Sequence, residues 1–225
     1  MKVILFGATG MVGQGVLREC LLDPGVESVL SIGRRPCGTT HAKLREIVHA
    51  DLTDLSAIEG ELAGYDACFF CLGTSSAGMS EADYRRVTYV VTMAAARAIV
   101  KRSPASTFVY VSGTGTDSTE KSRTMWARVK GATENALLSM PFKAAYMFRP
   151  GYIQPMNGVK ASSPGTRVMY AALAPFYPVW RSFFPRYVTT TEVVGRAMLR
   201  VARAGAPKHV VENVDISALG GAEVP

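Results

Sequence analysis

Short, uninterrupted apolar runs alternate with stretches of helical periodicity through the first two-thirds of the chain. The runs Lys2–Phe6, Val26–Ile32, Ile47–Asp51, Ala67–Leu72, Thr107–Val111 and Ala144–Arg149 read as strands. Between them, Val12–Leu22, Leu55–Leu62, Glu81–Lys101 and Trp126–Leu138 read as helices. The longest of these carries a stripe of Val87, Val90, Val91, Ala94, Ala95, Ala98 and Ile99, the spacing of one helix face. Strands apolar at successive positions are buried on both faces, so the pattern predicts an α/β fold, a doubly wound parallel sheet. Right-handed crossovers then bring any ligand to the carboxyl ends of the strands.

Beyond Pro150 the pattern changes. Prolines at 155, 164, 175, 178 and 185 interrupt it, and aromatic residues crowd Tyr170–Tyr187. A last helix is expected from Thr190 or Thr191 as N-cap, with Val193, Val194, Ala197, Met198 and Val201 on one face and a stop at Gly205. Val210–Val214 is a further strand candidate. The expected organisation is one domain over 1–225, with 151–190 as a small lobe on the substrate side.

Composition narrows the function classes. Hydrophobic residues make up 48% and charged residues 19%, a balance that excludes a disordered chain. No apolar run is long enough to span a bilayer and the first residues lack a signal-peptide pattern. Four cysteines without a framework spacing add the expectation of a reduced, cytoplasmic protein. Cys68 and Cys71 form a C-x-x-C, but residues three apart on a strand point to opposite faces, so both are expected in the core. The net charge of +7 suits an anionic ligand. Its arginines and lysines are dispersed and no nucleic-acid-binding motif accompanies them, so no nucleic-acid partner is expected. His41, His49 and His209 have no metal-ligand spacing, and no metal is expected.

The first strand runs into Gly7-Ala8-Thr9-Gly10-Met11-Val12-Gly13. Gly7 permits a tight turn, Gly10 lets backbone N–H groups approach a pyrophosphate, and Gly13 lets the following helix lie close on the sheet. The helix N-terminus then holds the phosphates. A site for NAD wants an acid about 20 residues later, at the end of strand two, to bind the ribose 2′-hydroxyl. Here stand Arg34 and Arg35, guanidiniums suited to a 2′-phosphate. The expected cofactor is NADP(H).

The order Gly7…Gly10…Gly13, Ile32-Gly33-Arg34-Arg35, His49-Ala50-Asp51-Leu52-Thr53-Asp54, Cys71-Leu72-Gly73-Thr74, Val109-Tyr110-Val111-Ser112, Lys130-Gly131 and Arg149-Pro150-Gly151 resembles the short-chain dehydrogenase/reductase superfamily. It resembles in particular the atypical or extended, epimerase-like branch, with its small NAD(P)H-binding proteins related to the Tat-interacting protein. The resemblance covers roughly Met1–Ile153 and implies a Rossmann fold. It further implies that Asp51 and Leu52 flank the adenine, that Leu72, Gly73 and Thr74 line the cofactor ribose, and that Pro150, Gly151 and Ile153 sit by the nicotinamide. Thr9, Met11 and Val12 belong to the phosphate turn. Ser112 would polarise a substrate carbonyl, and a Y-x-x-x-K pair would handle the proton, its lysine also gripping the nicotinamide ribose.

The lysine is present as Lys130, but four residues before it stands Trp126. An indole N–H donates a hydrogen bond and cannot titrate as a phenol does, and general acid–base catalysis contributes 10²–10⁴-fold. Tyr110 and Tyr152 are the nearest candidate replacements, and the Ser/Thr/Gly run 112–119 reads as a flexible active-site loop. Glu120 and Glu134 read as helix-surface or capping residues. Two functions lead, an atypical NADP(H)-dependent oxidoreductase on a small carbonyl compound or quinone-like acceptor and a non-enzymatic NADP(H) sensor or regulatory partner, with a sugar-nucleotide epimerase as a weaker third. The aromatic segment Val168–Phe184 reads as a cover over the nicotinamide end, with a homodimer or protein-partner surface as the alternative.

Overall fold

In the computed structural model, residues 1–159 and 183–221 are described, with 165, 168, 172, 177 and 180 between them. Seven parallel strands form the main sheet: β1 (Lys2–Phe6), β2 (Ser28–Gly33), β3 (Leu44–Val48), β4 (Ala67–Phe70), β5 (Thr107–Val111), β6 (Ala144–Arg149) and β9 (Val210–Glu212), in the order β3-β2-β1-β4-β5-β6-β9. The order reverses at β1, where strands two and three extend one way and strand four the other. A separate parallel pair joins β7 (Tyr152–Gln154) to β8 (Val188–Thr190).

Each strand of the sheet centre is buried on both sides, as continuous apolar sequence requires. On one face Val3, Leu5 and Phe69 pack with Val16 and Leu17 of α1 (Met11–Leu22) and with Val194, Ala197, Met198 and Val201 of α5 (Thr191–Ala204). On the other, Ile4, Phe6, Phe70 and Phe108 pack with Met93, Ala96 and Ile99 of α3 (Val91–Arg102) and Leu137 of α4 (Met125–Leu138). Cys68 belongs to the second core and Cys71 packs against the first, so the two thiols face opposite sides of the sheet. Burial raises the pKa of both, and neither forms a disulfide.

Several elements depart from the sequence pattern. The five-turn helix over 81–101 is broken into α2 (Glu81–Arg85), a π-turn (Arg86–Val90) and α3. The helix at 55–62 is a 3-10 helix, Ser56–Leu62. The third strand lies three residues earlier than expected, and the last strand stops at Glu212. There a capping box between Glu212 and Asp215 starts α6 (Asn213–Leu219), turning the chain away from the sheet. Thr190 is the N-cap of α5, its Oγ1 accepting from the Val193 N–H at 3.1 Å. Of the aromatic segment, Tyr170 and Phe176 lie outside the described residues. The ring of Trp180 meets Tyr152 edge-on at 5.3 Å, while Phe183, Phe184 and Tyr187 are exposed.

Candidate cofactor site

The glycine turn has the geometry its residues dictate. Gly7 adopts φ +88°, and a Cβ there would lie 2.7 Å from the Cys71 backbone, so both conformation and space demand glycine. The Gly10 N–H closes the turn on the Gly7 carbonyl at 2.9 Å. A Cβ on Gly13 would lie 1.9 Å from the same carbonyl oxygen. Gly10, at the N-cap of α1, offers no side-chain cap, and the first turn of the helix contains no acid. The uncapped N–H groups and the positive end of the helix dipole thus remain for an anion, and the residues fit a pyrophosphate.

A cleft of about 320 Å³ opens beside the turn. It is lined by Arg34, Asp51, Leu52, Leu72, Gly73, Thr74, Arg86 and Val87 among others. A smaller recess next to it is bounded by Gly7, Thr9, Arg34, Arg35 and Leu72. Five of the expected adenine and ribose residues therefore converge with Arg34 on one cleft, at the carboxyl ends of β1, β2 and β4. Asp51 Oδ1 accepts from the Thr53 N–H at 2.8 Å and its hydroxyl at 2.6 Å. These bonds hold its carboxyl below the usual range. Arg34 and Arg35 are exposed, and among the described residues no carboxylate lies within salt-bridge distance of either. Arg86, and Val87 of the expected core stripe, line the cleft without having been singled out for it in the sequence. The signal was present in the doublet Arg85-Arg86, but only the π-turn shows which of the two lines the cleft.

A second group gathers at the ends of β5 and β6. Lys130 Nζ donates to the Ser112 carbonyl, and burial pushes its pKa down to about 8, with Glu134 opposing the shift. The Trp126 ring lies on the loop after β5, where a Cβ on Gly115 would be 3.3 Å from its Cη2. Trp126 and Lys130, one helical turn apart, thus meet the same loop.

Two expectations about this region are corrected, those for Glu134 and for the loop 112–119. The Ser112 hydroxyl, expected to polarise a substrate carbonyl, is buried with Glu134 Oε1 and the Phe148 carbonyl (3.0 Å) as its acceptors. Glu134 is no surface residue: it is fully buried. Arg149 Nε approaches its two carboxylate oxygens at 3.1 and 3.2 Å, and Nη2 adds a further contact. A buried carboxylate needs such a partner. The loop 112–119 is tied down, because Asp117 accepts from the Thr119, Lys121 and Ser122 N–H groups at 2.9, 2.9 and 2.6 Å. Glu120 lies in the turn that follows, at φ 61°, and accepts from Asn135.

Neither substitute tyrosine is free in an open site. Tyr110 is 1% exposed, its pKa raised by burial and its hydroxyl engaged with Thr133. The Tyr152 hydroxyl donates to Gln154 Oε1 at 2.9 Å. Pro150 accepts the Thr114 N–H at 2.9 Å. Gly151 donates to Asn213 Oδ1 and lies so close to Tyr187 that a Cβ would be 2.2 Å from its carbonyl oxygen. The Ile153 side chain is buried. Among the described residues no cluster of three His, Cys, Asp or Glu side chains is arranged for a metal, and no helix is long and apolar enough to cross a membrane.

Residues 7–140 match the model of an NAD(P)H-binding family. The chain belongs to that family. Among curated proteins it is similar to FMP52-1 of Scheffersomyces stipitis, a protein named mitochondrial, at 29% identity over 68% of this chain and 67% of that one. It is also similar to HTATIP2 of Rattus norvegicus, at 26% identity over 97% of this chain and 89% of that one. Among solved structures, the Bordetella bronchiseptica enzyme WbmF in complex with NAD+ superposes with a TM-score of 0.68 at 14% identity, covering 100% of this chain and 79% of that one. That likeness shows a shared Rossmann-type fold. The expectation of a cytoplasmic protein is overturned, since FMP52 relatives from several fungi are named mitochondrial.

Proposed function

We propose that this NAD(P)H-binding protein prefers NADP(H) and is a weak, atypical oxidoreductase toward a small carbonyl compound, with Trp126 in place of the tyrosine acid. The observation that carries the cofactor preference is the pair Arg34 and Arg35, exposed and without carboxylate partners beside the glycine turn, where an acid would select NAD. A bound nicotinamide supplies or accepts the hydride. The chain's own part is to hold the pyrophosphate on α1, the adenine beside Asp51 and Leu52, the ribose along Leu72, Gly73 and Thr74, and the nicotinamide end near Lys130.

Proton delivery is the weak step. The Trp126 indole N–H donates a hydrogen bond but does not ionise, and the Ser112 hydroxyl is turned to Glu134 and the Phe148 carbonyl. Lys130, with a pKa near 8, is protonated at neutral pH and is the one titratable group among the named site residues that can serve. The same inward-turned Ser112 favours the second reading, a non-enzymatic NADP(H)-responsive partner. Assay of NADPH oxidation against a panel of aldehydes and quinones separates the two. Trp126→Tyr is expected to raise the rate at least tenfold if the site is a reductase lacking its acid. A rate that stays at background in both proteins removes the oxidoreductase reading and leaves the binding module.

A further inference from the structure

The π-turn Arg86–Val90 sits where a straight α-helix would be expected, between α2 and α3. A single i→i+5 turn inserts one residue into the helical winding and so re-aims the side chains around it, and such turns concentrate at functional sites. Here the consequence is specific. Tyr84 and Thr88 stay in the core stripe, while Arg86 and Val87 line the cleft that Arg34 enters from the end of β2. Val87 is 41% exposed, an apolar surface beside the place where a purine would lie. Arg86 is exposed too. Unlike Arg18, Arg45, Arg102, Arg128, Arg149 and Arg203, each on a carboxylate, it has none within salt-bridge distance among the described residues. The neighbouring Arg85 is instead occupied over the Tyr89 ring at 4.3 Å.

We infer that Arg86 is a second specificity residue for the cofactor, a guanidinium that the π-turn brings to the 2′-phosphate of NADP(H) from the helix side while Arg34 reaches it from the sheet side. The assignment rests on the NADP(H) reading above and adds to it. A phosphate dianion offers three oxygens, enough for two forks at once. Asp51 shares the cleft, its carboxyl held down first by its hydrogen bonds from Thr53 and only to a lesser degree by the charge of Arg86, which lies beyond salt-bridge distance. The cleft is therefore not uniformly positive: a ligand lacking the extra phosphate gains little from Arg86, which makes the residue discriminating rather than merely attractive.

The test uses calorimetric titration of wild type, Arg86→Ala and Arg34→Ala with 2′,5′-ADP and with 5′-AMP. Arg86 is an exposed side chain, so its truncation leaves the core intact, and circular dichroism checks that it does. The expected result is a loss of roughly tenfold or more in affinity for 2′,5′-ADP in Arg86→Ala, with 5′-AMP changed less than threefold. Arg86→Lys should recover part of the loss, since charge returns without the fork. An equal loss for both ligands, or no loss for either, overturns the assignment of Arg86. If wild type fails to prefer 2′,5′-ADP at all, the NADP(H) reading itself has failed, and the inference falls with it. If Arg34→Ala loses the preference and Arg86→Ala keeps it, only the inference falls.

Discussion

Glu134 is held in the core by one guanidinium, and Arg149 in turn reaches Glu212 at 3.2 Å and the Ser118 hydroxyl at 2.6 Å. Removing Glu134 strips Arg149 of its buried partner but leaves it Glu212 and Ser118, so the loss is that of charge-assisted hydrogen bonds, about 1.5–3 kcal/mol. Glu134→Ala is therefore expected to lower stability in urea denaturation by that amount, whereas a surface glutamate would change it by less than about 0.5 kcal/mol. Lys130 carries a pH signature of its own. Its pKa is about 8 in the fold against 10.5 for a free side chain. Between these values the unfolded chain binds more protons, so stability contributed by this group rises with pH. A Lys130→Met protein should lack that rise, and equal pH slopes for the two proteins would show that Lys130 is not desolvated. Residue roles of this kind were poorly legible in the sequence. Glu134 follows Lys130 by four positions on a helix, yet nothing local revealed that Arg149, fifteen residues on, closes over it.

At the level of elements, the glycine turn and the helices bounding the sheet follow from local chemistry and were readable. Continuous apolar strands and Gly7, Gly10 and Gly13 at their spacing have one physical reading each, and the cap of α5 was narrowed to Thr190 or Thr191 before the structure chose Thr190. A Gly13→Ala substitution is expected to abolish nucleotide binding and destabilise the fold, because its methyl would stand 1.9 Å from the Gly7 carbonyl. Binding within threefold of wild type would contradict that geometry. Thr190→Ala should cost about 1 kcal/mol through the lost cap on α5. The π-turn was not readable: Val87, Val90 and Val91 satisfy an uninterrupted helical stripe, and periodicity cannot report one inserted residue. The end of β9 was missed for a different reason. Val214 extends the valine-rich stretch across Glu212 and Asn213, and the capping pair Glu212 and Asp215 ends the strand before it.

Across the whole molecule, the doubly wound sheet places the nucleotide cleft at the ends of β1, β2 and β4 and the Lys130 group at the ends of β5 and β6, along one edge. A dinucleotide lying on that edge would reach from one to the other, so its binding should stabilise the fold as a unit, by about 2.7 kcal/mol at a concentration one hundred times the dissociation constant. The net charge of +7 adds long-range attraction for a polyanion, which salt screens. The preference for NADP(H) is the central claim, and it is tested most directly by titrating NADPH and NADH, with tryptophan fluorescence as the readout, into wild type and an Arg34→Ala/Arg35→Ala protein at one ionic strength. The account predicts tighter binding of NADPH than NADH by wild type. Truncating the two arginines should lower NADPH affinity by about 10–100-fold, the loss of charge-assisted hydrogen bonds worth about 1.5–3 kcal/mol, with NADH nearly unchanged. Equal affinities for the two nucleotides in wild type, or an NADPH affinity indifferent to both arginines, would contradict it.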